Sequence, residues 1–122
     1  MEVNSLKMLS LNNRLKKTTD IRKVFKYGRF FKEGFLILKT AKNNLNESRF
    51  GFVVSQKVSK KAVVRNKIKR RMRGIVKKEM KEIKAGTDNL FMALPGLEKK
   101  DFSTIQETIS NLLKKAKLLS HD

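Results

Sequence analysis

The sequence predicts a single-domain α+β sandwich, a small central sheet with helices packed on it. Three observations carry this. The chain has 122 residues with 39% hydrophobic content, enough for one core and too few for two. Its apolar periodicity switches between helical and strand spacing in the order helix, strands, helix, strand, helix, without repeats or a low-complexity linker. Gly, Asn and Pro-Gly punctuation separates the elements.

The first ten residues read as a flexible tail, and residues 11–119 as the domain. Thr18, Thr19 and Asp20 are capping residues ahead of Ile21, Val24 and Phe25 at i, i+3, i+4, and Gly28 closes this two-turn helix. Gly34 to Thr40 is rich in β-formers, and Arg49 to Ser55 alternates Phe50, Phe52 and Val54 on one face. Lys42 to Ser48, with three Asn, supplies the loop between these strands. From Ala62 to Lys84, Val64, Ile68, Met72, Ile75, Val76, Met80 and Ile83 recur at helical spacing, with Gly86 as the stop. Asn89 to Leu94 is a short buried strand ended by Pro95-Gly96. The last helix runs from Phe102 to Leu119. Ser103 and Gln106 stand at capping-box spacing, and Phe102, Ile105, Ile109, Leu112, Leu113 and Ala116 form its apolar face.

Charge narrows the function. Thirty Lys and Arg against eleven Asp and Glu give a net charge of +19, far beyond the roughly 2 to 8 that solubility asks for, so a polyanion is the expected partner. The absence of Cys excludes disulfides and thiolate metal sites and fits a reducing cytoplasm. No apolar run approaches the roughly 18 residues that span a bilayer, and residues 1–10 lack the basic-then-apolar order of a secretion signal.

Catalysis by side chains has little to draw on. The one histidine, His121, is next to the chain end, and no carboxylate pair has acid/base or metal-ligand spacing, so neither a catalytic nor a metal-binding residue is expected. The informative stretch is the basic one. From Lys60 to Lys78, ten of nineteen residues are Lys or Arg and none is acidic, unlike an ordinary solvated helix with interleaved charges. On a helical wheel Arg65, Lys69 and Arg73 form a stripe beside the apolar face, and Asn66, Arg70 and Lys77 the next stripe outward. Such like-charge spacing costs roughly 0.2–0.5 kcal/mol per pair, which phosphates would offset. Lys57, Lys60, Lys61, Arg65, Asn66, Lys67, Lys69, Arg70 and Arg73 are therefore the expected nucleic-acid-binding residues. The aromatics Phe25, Tyr27, Phe30, Phe31, Phe35, Phe50 and Phe52 are expected mostly in the core, although aromatics on a sheet face beside an Arg/Lys helix also hold single-stranded RNA.

Arg65-Asn66-Lys67-Ile68-Lys69-Arg70-Arg71-Met72-Arg73 resembles the basic signature of the bacterial ribonuclease P protein subunit, with Lys67 where the family has Arg. Asn13-Arg14-Leu15-Lys16-Lys17 followed by Asp20 and Val24-Phe25-Lys26, and Gly51-Phe52-Val53-Val54-Ser55 leading into Lys57, are similar to two further family blocks. The likeness covers roughly residues 12 to 117.

The resemblance implies a ribosomal-protein-like sandwich whose basic helix is a left-handed crossover between parallel strands, where general priors favour a right-handed one. It implies binding of a catalytic RNA through the basic helix, and of the single-stranded 5′ leader of precursor tRNA in a cleft between the first helix and the sheet. Ile21, Phe25 and either Leu38 or Lys39 would line that cleft, with Asn66 across it. The RNA, with Mg²⁺ bound mainly by the RNA subunit and substrate, would perform the hydrolysis, and no protein partner would be required. Three other readings remain: a ribosomal or other RNA-binding protein, a DNA-binding module, and a cationic membrane-surface protein. The second lacks the short preceding helix and tight turn of a helix-turn-helix. The third lacks Trp and an apolar stripe to insert.

Overall fold

The computed structural model describes residues 10–120; the expected tail, save Ser10, and His121 lie outside the described residues. Helix α1 (Thr18–Tyr27) leads into strands β1 (Arg29–Glu33), β2 (Leu36–Lys42) and β3 (Arg49–Val53). Helix α2 (Ala62–Glu79), strand β4 (Thr87–Ala93) and helix α3 (Phe102–Lys115) follow. The four strands form one sheet in the order β1-β2-β4-β3. β1–β2 and β2–β4 are antiparallel, while β3 and β4 are parallel neighbours joined through the basic helix.

Strand alternation sorts the sheet into two unlike faces. Leu36, Leu38, Phe50, Phe91 and Ala93 point to one face, where α2 contributes Ile68, Met72, Ile75 and Val76 and α3 contributes Ile105, Ile109, Leu112 and Leu113. Phe52 stacks on Phe91 there, ring centroids 5.8 Å apart. The other face carries a smaller cluster, Leu15, Val24 and Leu90, flanked by half-buried Ile21, Ala41 and Met92. Helix α1 covers only part of that face, and Val53 at its far end is exposed.

Polar pairing fixes register and the seat of α1. Buried Thr40 and Asn89 are cross-strand partners, and the Thr40 hydroxyl donates to Asn89 Oδ1 at 2.7 Å. Arg49 grips Asp88 with both ends of its guanidinium (Nε–Oδ1 2.8 Å, Nη2–Oδ2 2.7 Å) and reaches Asp20 at the start of α1 at 3.3 Å. This arrangement, Asp88 above all, raises the Arg49 pKa.

Five differences from the sequence reading have local causes. An additional strand, β1, occupies residues 29–33, too short between two glycines to show a period. Gly28 ends α1 in extended conformation (φ −71°), not in the left-handed one; a Cβ there would lie 2.5 Å from the Val24 carbonyl of α1 and 3.2 and 3.3 Å from the Thr40 carbonyl and nitrogen of β2, so the glycine serves the close approach of helix end and strand. Helix α2 stops at Glu79 and tightens into a 3-10 turn, because Ile83 is drawn into a bridge with Leu119 instead of continuing the helix. Helix α3 is capped by Asp101, whose carboxylate accepts from the Thr104 N–H at 2.8 Å, not by Ser103; Phe102 is thereby left exposed. The same helix ends at Lys115, with Lys117 left-handed (φ 56°) and the Leu118 N–H donating to the Leu113 carbonyl at 3.0 Å. A non-glycine residue at that position costs roughly 1 kcal/mol.

Candidate nucleic-acid interface

Helix α2 turns its apolar stripe into the core and leaves its cations outside. Lys57, Lys60, Lys61, Asn66, Lys67 and Arg70 are exposed, and Arg65, Lys69 and Arg73, the stripe beside the apolar face, are half-buried. The helix begins at Lys61 with no side-chain cap and no acid in its first turn. Positive charge thus stands at the positive end of the helix dipole, a repulsion that a bound anion relieves. Arg65 also holds the entry loop, its Nη1 donating to the carbonyls of Ser59 (3.0 Å) and Lys60 (2.9 Å).

The sequence reading missed how the basic face continues. The N-terminal segment lies along β3, the edge strand, with the Leu15 N–H donating to the Phe50 carbonyl at 2.9 Å. Gly51 permits this, since a Cβ would sit 3.2 Å from both the Leu15 carbonyl and a Leu90 methyl. Arg14 and Lys16 thereby join Lys69 and Arg73 around a cavity of about 360 Å³ with no acidic side chain in its lining. Burial first, and then the neighbouring charges of Arg14 and Arg70, push the Arg73 guanidinium below its ordinary pKa. No local signal marks Arg14 and Lys16 as partners of the helix, because a backbone bond between residues 35 apart in sequence brings them there.

The aromatics are the largest correction. Of the seven expected mostly inside, Phe50 is buried and Phe31 and Phe52 are half-buried against the core, while Phe25, Tyr27, Phe30 and Phe35 are exposed. Phe25 is 55% exposed, with Lys39 Nζ 4.1 Å from its ring centroid and also donating to its backbone carbonyl at 2.6 Å. One ring face is thus capped by a cation. Phe30 pairs with Lys39 across β1–β2 and adds a second exposed ring on the same sheet face.

Ile21 and Lys39 are half-buried on this face, whereas Leu38 is not a cleft residue: it is 0% exposed and points into the main core on the opposite face. Asn66 does not stand directly across from α1 either. The two helices cover opposite faces of the sheet, and the cleft and the basic helix connect around the β3 edge through Arg14 and Lys16.

Arg70→Ala is expected to weaken RNA binding by roughly 1–3 kcal/mol, the size of a charge-assisted contact to phosphate, with an unchanged melting temperature, since Arg70 is exposed. Arg65→Ala should weaken binding by a similar amount and also lower the melting temperature, because the entry loop loses two bonds. Binding isotherms paired with thermal melts of the two variants check this.

A two-faced sheet with a cation-studded crossover helix and a flanking cleft of aromatic and basic side chains defines a small α+β protein that binds polynucleotides. The Ribonuclease P family model matches residues 9–117. The chain belongs to the ribonuclease P protein family. It is 37% identical over 109 residues to the ribonuclease P protein component of Alkaliphilus metalliredigens, covering 89% of this chain and 97% of that one. The RNase P protein of Staphylococcus aureus superposes with a TM-score of 0.82 at 29% identity, covering 88% of this chain and 98% of the other. The RNase P protein from Thermotoga maritima superposes at 0.77 and 33% identity, covering 84% and 96%.

Proposed function

We propose that this chain is the RNA-binding subunit of a bacterial ribonuclease P, working in the cytoplasm with a catalytic RNA to remove the 5′ leader of precursor tRNA. The observation that carries the reading is the cationic surface of α2, which Arg14 and Lys16 extend at the β3 edge around a shared cavity with Lys69 and Arg73. The family membership favours this over a ribosomal role. Among the described residues no helix is long and apolar enough to cross a membrane.

Each part of the face contributes separately. Arg70, Lys69, Arg73 and their neighbours neutralise phosphates of the catalytic RNA, and Asn66 offers a donor and an acceptor to a ribose or base edge. The open ring face of Phe25, with Ile21 beside it, gives a leader base an apolar surface, while Lys39 holds the ring and adds a cation for the leader backbone. The protein orients the substrate and lowers repulsion between two RNAs. Among the described residues no group of three or more His, Cys, Asp or Glu could hold a metal ion. We assign Mg²⁺ to the RNA subunit and the substrate.

Leader dependence tests the reading. Phe25→Ala is expected to weaken binding of leader-bearing precursor tRNA to the reconstituted holoenzyme by roughly 1–3 kcal/mol and to leave leaderless tRNA unchanged. Equal loss for both RNAs would remove the leader role from this residue.

A further inference from the structure

A second cationic cavity lies at the other end of the sheet. Helix α2 begins beyond the Val53 end of β3, whereas this cavity opens beside the paired Lys42 and Thr87, where β2 ends and β4 begins. It measures about 400 Å³ and lies between that sheet end, the turn before β4 and the segment after α3. Four cations line it, Arg29, Lys42, Lys84 and Lys117, and no acidic side chain does.

The backbone around it is unusual. Among the described residues, the two non-glycine residues with positive φ, Asn44 (60°) and Lys117 (56°), both belong to this lining, as does left-handed Gly86 (95°). Lys117 occupies the position after α3 where glycine is usual, so the fold accepts strain at a lysine that faces this cavity's lining partners. Arg29 is held in place: its Nη2 donates to the Ala116 carbonyl at 3.1 Å, and its guanidinium lies 5.2 Å from the Phe31 ring centroid. That bond also occupies a carbonyl at the negative end of α3, which would otherwise repel an anion. A fixed fork among three lysines is the chemistry of a phosphate site.

We propose that this cavity binds a backbone phosphate of the catalytic RNA, a second anchorage separate from the basic helix. The proposal rests on the reading of the chain as an RNA-binding subunit. A large folded RNA is the partner that can reach both ends of the sheet at once, while the leader cleft occupies the face under α1.

The test is the salt dependence of binding between the full chain and ribonuclease P RNA. The double variant Lys42→Gln/Lys84→Gln should make the log-log slope shallower by about 1 to 2 and weaken binding about tenfold, and Lys42→Arg/Lys84→Arg should restore both. In the unmodified protein, the backbone amide signals of Gly86 and Lys117 should shift on titration with a short RNA duplex, a readout independent of variant folding. An unchanged slope in the folded glutamine variant, or silent Gly86 and Lys117 signals, would overturn the proposal. Arg70→Ala in the same series separates the two claims. If it lowers the slope and the glutamine variant does not, only the second anchorage fails; if neither does, the RNA-subunit reading fails with it.

Discussion

Raising monovalent salt from about 50 to about 200 mM is expected to weaken binding to the catalytic RNA by about a thousandfold. The reason is counterion release. Lys60, Lys61, Lys67 and Arg70 stand exposed on one helix and its entry, and Arg14, Lys16, Lys69 and Arg73 extend the same surface around β3. Neutralising roughly six phosphates gives a log-log slope near −5, since each contributes about −0.9 on duplex RNA-like charge density. The geometry strengthens the expectation, because Lys60, Lys61, Lys67 and Arg70 are exposed to solvent on one helix and its entry. Filter binding over a salt series measures it. A slope shallower than about −3 would mean that only a few of these cations meet phosphate.

Phe91→Ala is expected to cost roughly 3–5 kcal/mol of stability and to lower the melting temperature by more than about 10 °C. Phe91 is 0% exposed, lies between Leu38 and Phe52 in the register of the two central pairings, and stacks on Phe52. Its removal opens a cavity at the middle of the sheet. Small domains hold only about 5–15 kcal/mol in total, so RNA binding and leader recognition should fall together. Phe25→Ala, at a ring more than half exposed, should leave the melt nearly unchanged. Thermal denaturation of the two variants side by side separates core aromatic from binding aromatic.

That contrast marks where sequence stops being informative. The helix over Ala62–Glu79 was legible because its apolar positions repeat at helical spacing and its charges are of one sign, and the strands at Leu36 and Arg49 because their residues favour extended backbone. Phe91 was legible as buried because it stands in the apolar run Asn89 to Leu94, whereas Phe25, on the apolar stripe of α1, is left outside because α1 covers only part of the opposite sheet face. Leu38 and Lys39 are adjacent in sequence, and strand alternation sends them to opposite faces; which face became the cleft depends on where α1 docks through Asp20 and Arg49. Arg14 and Lys16 enter the basic surface through a backbone bond to Phe50, a long-range fact with no local sign. The ends of α2 and α3 were displaced for the same reason, by the pairing of Ile83 with Leu119 and by the left-handed Lys117.

The central claim is that this chain works with an RNA that carries the chemistry. Cleavage of a leader-bearing precursor tRNA should be measured with Mg²⁺ for the purified protein alone, for ribonuclease P RNA alone, and for the two together, under ionic conditions where the RNA alone is slow. The account predicts no cleavage by the protein alone and, in the mixture, faster removal of the leader than by the RNA alone, with tighter binding of leader-bearing substrate. Leader removal that stays with the protein after exhaustive nuclease digestion of all RNA, or a mixture no more active than the RNA alone, would contradict it.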